Sequence, residues 1–220
     1  VAAVVAVVIA VALVIGAYWL GYGQGARAGW TGMGMTPDPT SSANQALADR
    51  IGQSAGKTWA GRAPQTVTAA RAQMLGDQAP AGATVNPASN EVTFAAASVS
   101  LAIEASPPNG TDMAFRIAGL TNPTLIVPQG AQVSVQFINA DPDQAHAWEI
   151  TSGSPPFGFT PAGRIPAIPG AAAAVIGDPT TAGDGARTIT FQATPTGSYQ
   201  YICPMPGHAQ MGMHGQFIVH

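Results

Sequence analysis

The sequence predicts an all-β sandwich carrying an N-terminal helical extension and a transmembrane helix. Three observations predict it. From Gly76 onward, short runs rich in Val, Ile, Phe and Thr are split by Pro, Gly, Asn and Asp turn signals, the pattern of a sandwich or barrel. Helical spacing is confined to the stretch just before that point. At the front, Val1 to Leu20 reads VAAVVAVVIAVALVIGAYWL, an apolar run without a charge and long enough to cross a bilayer.

Taken in order, residues 1–22 read as a transmembrane anchor. Tyr18, Trp19 and Tyr22 close it, where aromatic rings sit at a membrane interface. A signal segment is the competing reading, with the small-residue triplet Ala26–Ala28 downstream. Either reading sends the rest of the chain across the membrane. Residues 23–57 are rich in Gly, Thr, Pro and Ser and read as a flexible linker, with Met33 and Met35 as ordinary linker methionines.

Residues 58–220 form the β domain, opened by a helix over 64–75. There PQTVTAARAQML places proline in the first turn and Val67, Ala70, Met74 and Leu75 on one side. Strands are expected near 84–85, 91–94, 98–104, 114–118, 124–127, 132–139, 147–151, 187–192, 197–202 and 215–219. The clearest is QVSVQFIN, where Val133, Val135 and Phe137 alternate with Gln132, Ser134 and Gln136. Residues 153–185, rich in Pro, Gly and Ala without periodicity, read as a long surface excursion.

Charged residues make up 9% of the chain, against roughly 25% in a typical soluble domain. Net charge is −3 and Lys57 is the only lysine. Neutralising phosphates takes clustered cations, so nucleic acid is excluded as a partner. Sparse charge fits either a Gly/Ala-rich compositional bias or life outside the cell in acid, where carboxylates are protonated and cations repel. One cysteine excludes an internal disulfide.

That cysteine lies in YICPMPGHAQMGMHGQF, residues 201–217. Cys203, His208 and Met213 follow one another at five-residue steps between the last two expected strands. A thiolate and an imidazole bind copper well, and a thioether adds a soft, weak contact. Pro204 and Pro206 stiffen the loop, and the PMPG turn brings His208 back beside Cys203. A trigonal copper site needs a second imidazole. Among His146, His208, His214 and His220, the choice is His146, which opens the strand AWEIT. Met205 and Met211 are weaker rivals for the thioether. His214 reads as a neighbour of the site and His220 as inert.

These residues resemble the cupredoxins, the small blue copper proteins, and within them the rusticyanin and sulfocyanin branch. The resemblance runs from about Thr58 to Val219. It is carried by NPTLIVPQGAQVSVQFIN, HAWEITSGSPPF and GSYQYICPMPGHAQMGMHGQFIV, and by four residues between Cys and His. It implies a Greek-key β-sandwich and one Cu(I)/Cu(II) ion on His146, Cys203, His208 and Met213. Two positions depart from the family pattern. Ala147 stands where Asn or Ser often braces the cysteine loop, and His214 stands where an aromatic residue is common.

The resemblance implies a one-electron carrier rather than an enzyme. Its expected partners are redox proteins such as cytochromes or a terminal oxidase, with no small-molecule substrate, and it is read as a monomeric, membrane-anchored, extracytoplasmic domain. Phe137, Trp148, Phe157, Phe159, Tyr201 and Phe217 are candidates for an apolar shell around the metal. The His208 ring edge is the expected electron port. Rival readings are a copper delivery or storage protein and a fixed subunit of a terminal oxidase. A multicopper enzyme would need more histidines than four.

Overall fold

The computed structural model describes residues 65–160 and 166–220. The expected anchor and linker lie outside them. Thirteen strands and one helix are present among the described residues: β1 (Gln65–Val67), α1 (Ala69–Asp77), β2 (Ala83–Asn86), β3 (Glu91–Phe94), β4 (Ser98–Ala105), β5 (Phe115–Ile117), β6 (Leu120–Thr121), β7 (Thr124–Val127), β8 (Gln132–Asn139), β9 (His146–Thr151), β10 (Ala172–Ile176), β11 (Asp184–Gln192), β12 (Gly197–Ile202) and β13 (His214–Val219). They form two sheets. One runs β1-β11-β8-β4-β5-β6 and the other β10-β9-β12-β13-β7-β3-β2. The pairs β4–β8, β13–β7 and β3–β7 are parallel and the remaining ones antiparallel.

Period-2 patterning builds the sandwich. Val99, Leu101 and Ile103 of β4, Val133, Val135 and Phe137 of β8, and Ile189 and Phe191 of β11 are buried on one face. Trp148, Ile150, Leu125, Val127, Tyr201, Phe217 and Val219 of the second sheet complete the same core. Burying each large apolar side chain is worth about 1.5–3 kcal/mol. The outer face of β4, β8 and β11 carries Ser, Thr and Gln, in register across the three strands.

The structure corrects two expectations. The helix does not span 64–75. Residues 65–67 form β1, paired with β11, and the helix runs Ala69–Asp77. The β-branched pair Val67–Thr68 favours extended backbone, and the Thr68 hydroxyl accepts from the Arg71 amide at 3.2 Å, capping the helix there. Gly183 makes the pairing possible, since a side chain there would overlap the Val67 carbonyl.

The second correction concerns 153–185, which is not simply an excursion. It contains β10, whose run of alanines has low strand propensity and no alternation. Those small residues are what the place requires, because Ala173 lies opposite Trp148 on β9.

Candidate metal centre

Three neighbouring strands of the second sheet deliver the four candidate ligands to one end of the sandwich. β9 begins with His146, β12 ends immediately before Cys203, and β13 begins immediately after Met213. Ile202 pairs with both Glu149 and His214, so the ends of β12 and β13 are level and β9 runs three residues further, to His146. The loop from 203 to 213 carries His208 and closes by backbone hydrogen bonds. The Cys203 amide donates to the Met213 carbonyl at 3.1 Å, and the Met213 amide to the His208 carbonyl at 3.0 Å. Gly207, at φ +84°, turns the chain.

The geometry is compact. Cys203 Sγ lies 3.7 Å from His146 Nδ1 and 3.4 Å from His208 Nδ1, and the two Nδ1 atoms are 3.1 Å apart. His146 and Cys203 are fully buried and His208 is 2% exposed. The three form a cluster of ligating side chains suited to a metal ion. A point equidistant from the three atoms lies about 2 Å from each, close to the usual bond length from a first-row metal ion to imidazole nitrogen or thiolate sulfur. Two imidazoles and one thiolate in a trigonal array, inside an apolar core, suit copper. The residues present therefore fit one copper ion. Met213 is also fully buried, and its backbone is bonded to both Cys203 and His208.

Burial opposes the Cys203 thiolate. The nearby His208 ring and the His146 contact outweigh it, bringing the thiol down to about 5. Burial also opposes charge on His146, but its Asp141 and Cys203 contacts push it up to about 9. Without metal the cluster holds an imidazolium beside a thiolate. His146 must surrender the proton on Nδ1 to ligate. From about pH 7 to 9 the His146 proton leaves on copper binding, so apparent affinity rises about tenfold per pH unit there and levels off above 9. Calorimetry in buffers of different ionisation enthalpy measures that proton, and an affinity independent of pH over this window would contradict it.

Sequence reasoning missed the groups behind His146. His146 Nε2 donates to Asp141 Oδ2 at 2.7 Å, with both side chains buried. Asp141 Oδ1 accepts from the Asp143 and Gln144 amides. Burial works to raise the Asp141 carboxyl, but the His146 and Asp143 hydrogen bonds prevail and hold it at about 2. Asn139 orders the same turn. Its Nδ2 donates to the Gln144, Ile176 and Gly177 carbonyls and its Oδ1 accepts from the Asp141 amide. The available signal was NADPDQA, a run of turn-forming residues with a carboxylate five places before the histidine. Such a partner fixes tautomer and ring orientation. Asp141→Ala is expected to lower copper affinity about 10–100-fold, and Asp141→Asn, which keeps an acceptor oxygen, to lower it less. Competition against a copper chelator reads both.

The structure also corrects the expectation for His208. The ring is buried rather than presented on an exposed loop. Phe159 lies against Gly207, whose amide donates to the Phe159 carbonyl at 2.7 Å, and Phe157 packs with Ile202 and Ala209. The exposed apolar side chains here are Phe159 at 47% and Met211 at 40%. Phe159 is thus a surface residue, whereas Phe137, Trp148, Phe157, Tyr201 and Phe217 are buried. His214 is half-buried, meets Phe157 edge-on at 5.1 Å, and is lowered by burial. Met205 is buried and His220 exposed. Glu149, buried on β9, is pushed up to about 7 by burial first and by the Cys203 charge second.

Comparison with known proteins agrees with this geometry. The sulfocyanin (SoxE) domain model matches residues 84–220. Rusticyanin of Acidithiobacillus ferrooxidans is 34% identical over 128 residues, covering 58% of this chain and 80% of the relative. Rusticyanin of Acidithiobacillus ferridurans is 33% identical over 138 residues, covering 58% and 66%. Among solved structures, rusticyanin from Thiobacillus ferrooxidans superposes with a TM-score of 0.63 at 30% identity, covering 71% of this chain and 97% of that one. Reduced rusticyanin gives 0.60 at 28%, covering 71% and 99%. With its two sheets, its buried His–Cys–His triangle and a match over most of the sandwich, the chain belongs to the sulfocyanin (SoxE) domain family and is a cupredoxin most like rusticyanin and sulfocyanin.

Proposed function

We propose that His146, Cys203, His208 and Met213 ligate one copper ion and that the protein carries single electrons between redox proteins. The observation that carries this reading is the buried triangle of two imidazole nitrogens and one sulfur. Bound copper supplies one-electron chemistry, alternating between Cu(II) and Cu(I). The chain's residues keep the site's shape fixed. His146 is held by Asp141, and the carbonyls and amides of Cys203, His208 and Met213 tie the loop to itself. The thioether of Met213 and the apolar core beneath favour the lower charge, which raises the potential.

Phe159 and Met211, both close to Gly207, and the half-buried Pro204 and Pro206 of the same loop give the surface beside His208 an apolar character. That surface suits brief docking by a cytochrome or a terminal oxidase. The domain acts as a monomer outside the cytoplasmic membrane, tethered through residues 1–22. The setting is the respiratory chain of an acidophile. Its support is a chain only 9% charged and rusticyanin relatives in Acidithiobacillus.

The test is to load the full-length chain with Cu(II), record its visible absorption and electron paramagnetic resonance, and titrate its potential. An intense thiolate-to-copper band with a reversible one-electron wave is expected. Copper binding without that band would move the protein to copper delivery or storage. Comigration with an oxidase on native gels of solubilised membranes would make it a fixed subunit.

A further inference from the structure

The corner between β6 and β7 touches the ligand loop just before Met213 and touches β12 two residues before Cys203. On the Cys203 side, the buried Tyr201 hydroxyl donates to the Pro123 carbonyl at 2.7 Å, two residues before the cysteine. Gly215 is what lets Tyr201 reach across, since a side chain there would overlap the Tyr201 ring. On the Met213 side, Asn122 Nδ2 donates to the Gly212 carbonyl at 3.0 Å, one residue before the methionine. Gly212 sits at φ +111°, which glycine adopts readily and other residues rarely do.

Asn122 is itself fixed. Its Oδ1 accepts from the Phe115 amide at 2.8 Å, and its own amide donates to the Phe115 carbonyl at 2.8 Å. It adopts φ +46°, which Asn tolerates better than most residues. Asn90 Nδ2 donates to the Thr121 carbonyl at 3.0 Å and fastens the corner from β3's side. Ala147, which departs from the Asn or Ser brace of the family pattern, is fully buried and offers only a methyl group.

We infer that the Asn122–Pro123 corner is the brace of the ligand loop, with Asn122 the positioning residue that sets Met213. The inference rests on the copper reading above. In it, the stiffness that Ala147 cannot give comes from elsewhere in the fold, through a carboxamide that binds the carbonyl next to Met213, the residue that would supply the thioether. Asn122 does not touch the metal. It acts by fixing the backbone from which the Met213 side chain departs.

Asn122→Asp separates the two halves of this role. A carboxylate keeps the acceptor for the Phe115 amide and loses the donor to Gly212. Asn122→Ala loses both. The full-length wild type and both variants are loaded with Cu(II), and three quantities are read: the paramagnetic resonance spectrum, the rate of Cu(I) loss to a chelator, and the thermal midpoint of the copper-free protein. Asn122→Asp is expected to change the resonance spectrum and speed Cu(I) loss about tenfold, at a copper-free midpoint close to wild type. Asn122→Ala is expected to show the same metal effects and a lower midpoint. The inference is overturned if Asn122→Asp keeps the wild-type spectrum and release rate, and Asn122→Ala lowers only the midpoint. A wild type without a thiolate-to-copper band would instead remove the copper reading itself.

Discussion

Cys203→Ser is expected to abolish the intense visible band and to lower Cu(I) affinity on the order of a thousandfold or more. Losing a hydrogen-bond partner behind a ligand already costs about 10–100-fold, and here the ligand itself goes. A hydroxyl is a hard donor and a poor match for the soft Cu(I) ion. It also stays protonated, whereas the Cys203 thiol is brought down to about 5 by His208 and His146 against the cost of burial. The substitution changes volume little at a fully buried position, and the introduced hydroxyl retains imidazole neighbours at 3.4 and 3.7 Å. The copper-free fold should therefore survive, which near-ultraviolet circular dichroism checks. A folded variant whose colour and unpaired-electron spectrum match wild type would show that the sulfur never bonded to the metal.

The site was legible because chemistry and strand punctuation coincide in it. Cys203, His208 and Met213 are the chain's only cysteine with a histidine and methionine at even steps, between two runs that alternate as strands must. His146 follows by elimination among four histidines. The structure brings His146, Cys203 and His208 within 3.7 Å of one another, and buries Met213, whose backbone hydrogen-bonds to Cys203 and His208.

What stayed hidden depends on contacts between distant segments. Asp141 and Asn139 read as turn residues, which they are. Only the fold shows that the same turn points a carboxylate at the back of His146. β10 was hidden because an alanine run carries no period, and its meaning comes from Trp148 across the ladder. The burial of His208 was hidden because the loop that carries it is held by a distant segment: Phe159, in a stretch that pattern alone makes a loop, packs and hydrogen-bonds against Gly207. The start of α1 was misplaced because proline suggests a first turn, while Val67–Thr68 specify strand and cap.

Arg116→Ala is expected to cost about 3–5 kcal/mol of folding stability at neutral pH, because it strands a buried charge. Glu104 is 1% exposed, and its Oε2 accepts from Arg116 Nη2 at 2.7 Å and Nε at 2.9 Å. The pair lies where α1 meets the first sheet. Gly76 permits the approach, since a side chain there would overlap the Glu104 carboxylate, and Asp77 reaches Arg116 at 3.4 Å. Burial raises Glu104 and Arg116 pulls it partly back, leaving it above its ordinary value. The sign of the pH effect follows. A carboxyl raised in the folded state holds a proton that the unfolded chain has released, so folding is favoured as pH falls through the folded value.

Without Arg116 the rise is larger. The deficit is then full at neutral pH, shrinks as Glu104 protonates, and at pH 3.5 falls to the packing lost with the arginine stem, about 1 kcal/mol. Urea unfolding of the copper-free protein at both pH values measures the difference, and Glu104→Gln in the same chain should recover most of the neutral-pH loss. An equal loss at both pH values would mean that packing, not charge, holds this junction. Among the described residues, Asp143 at about 6, Glu149 at about 7 and Asp184 are raised alongside Glu104, while Asp141 is lowered. Through these raised carboxyls the fold gains stability as it is acidified, in the same sense as the Glu104 contribution.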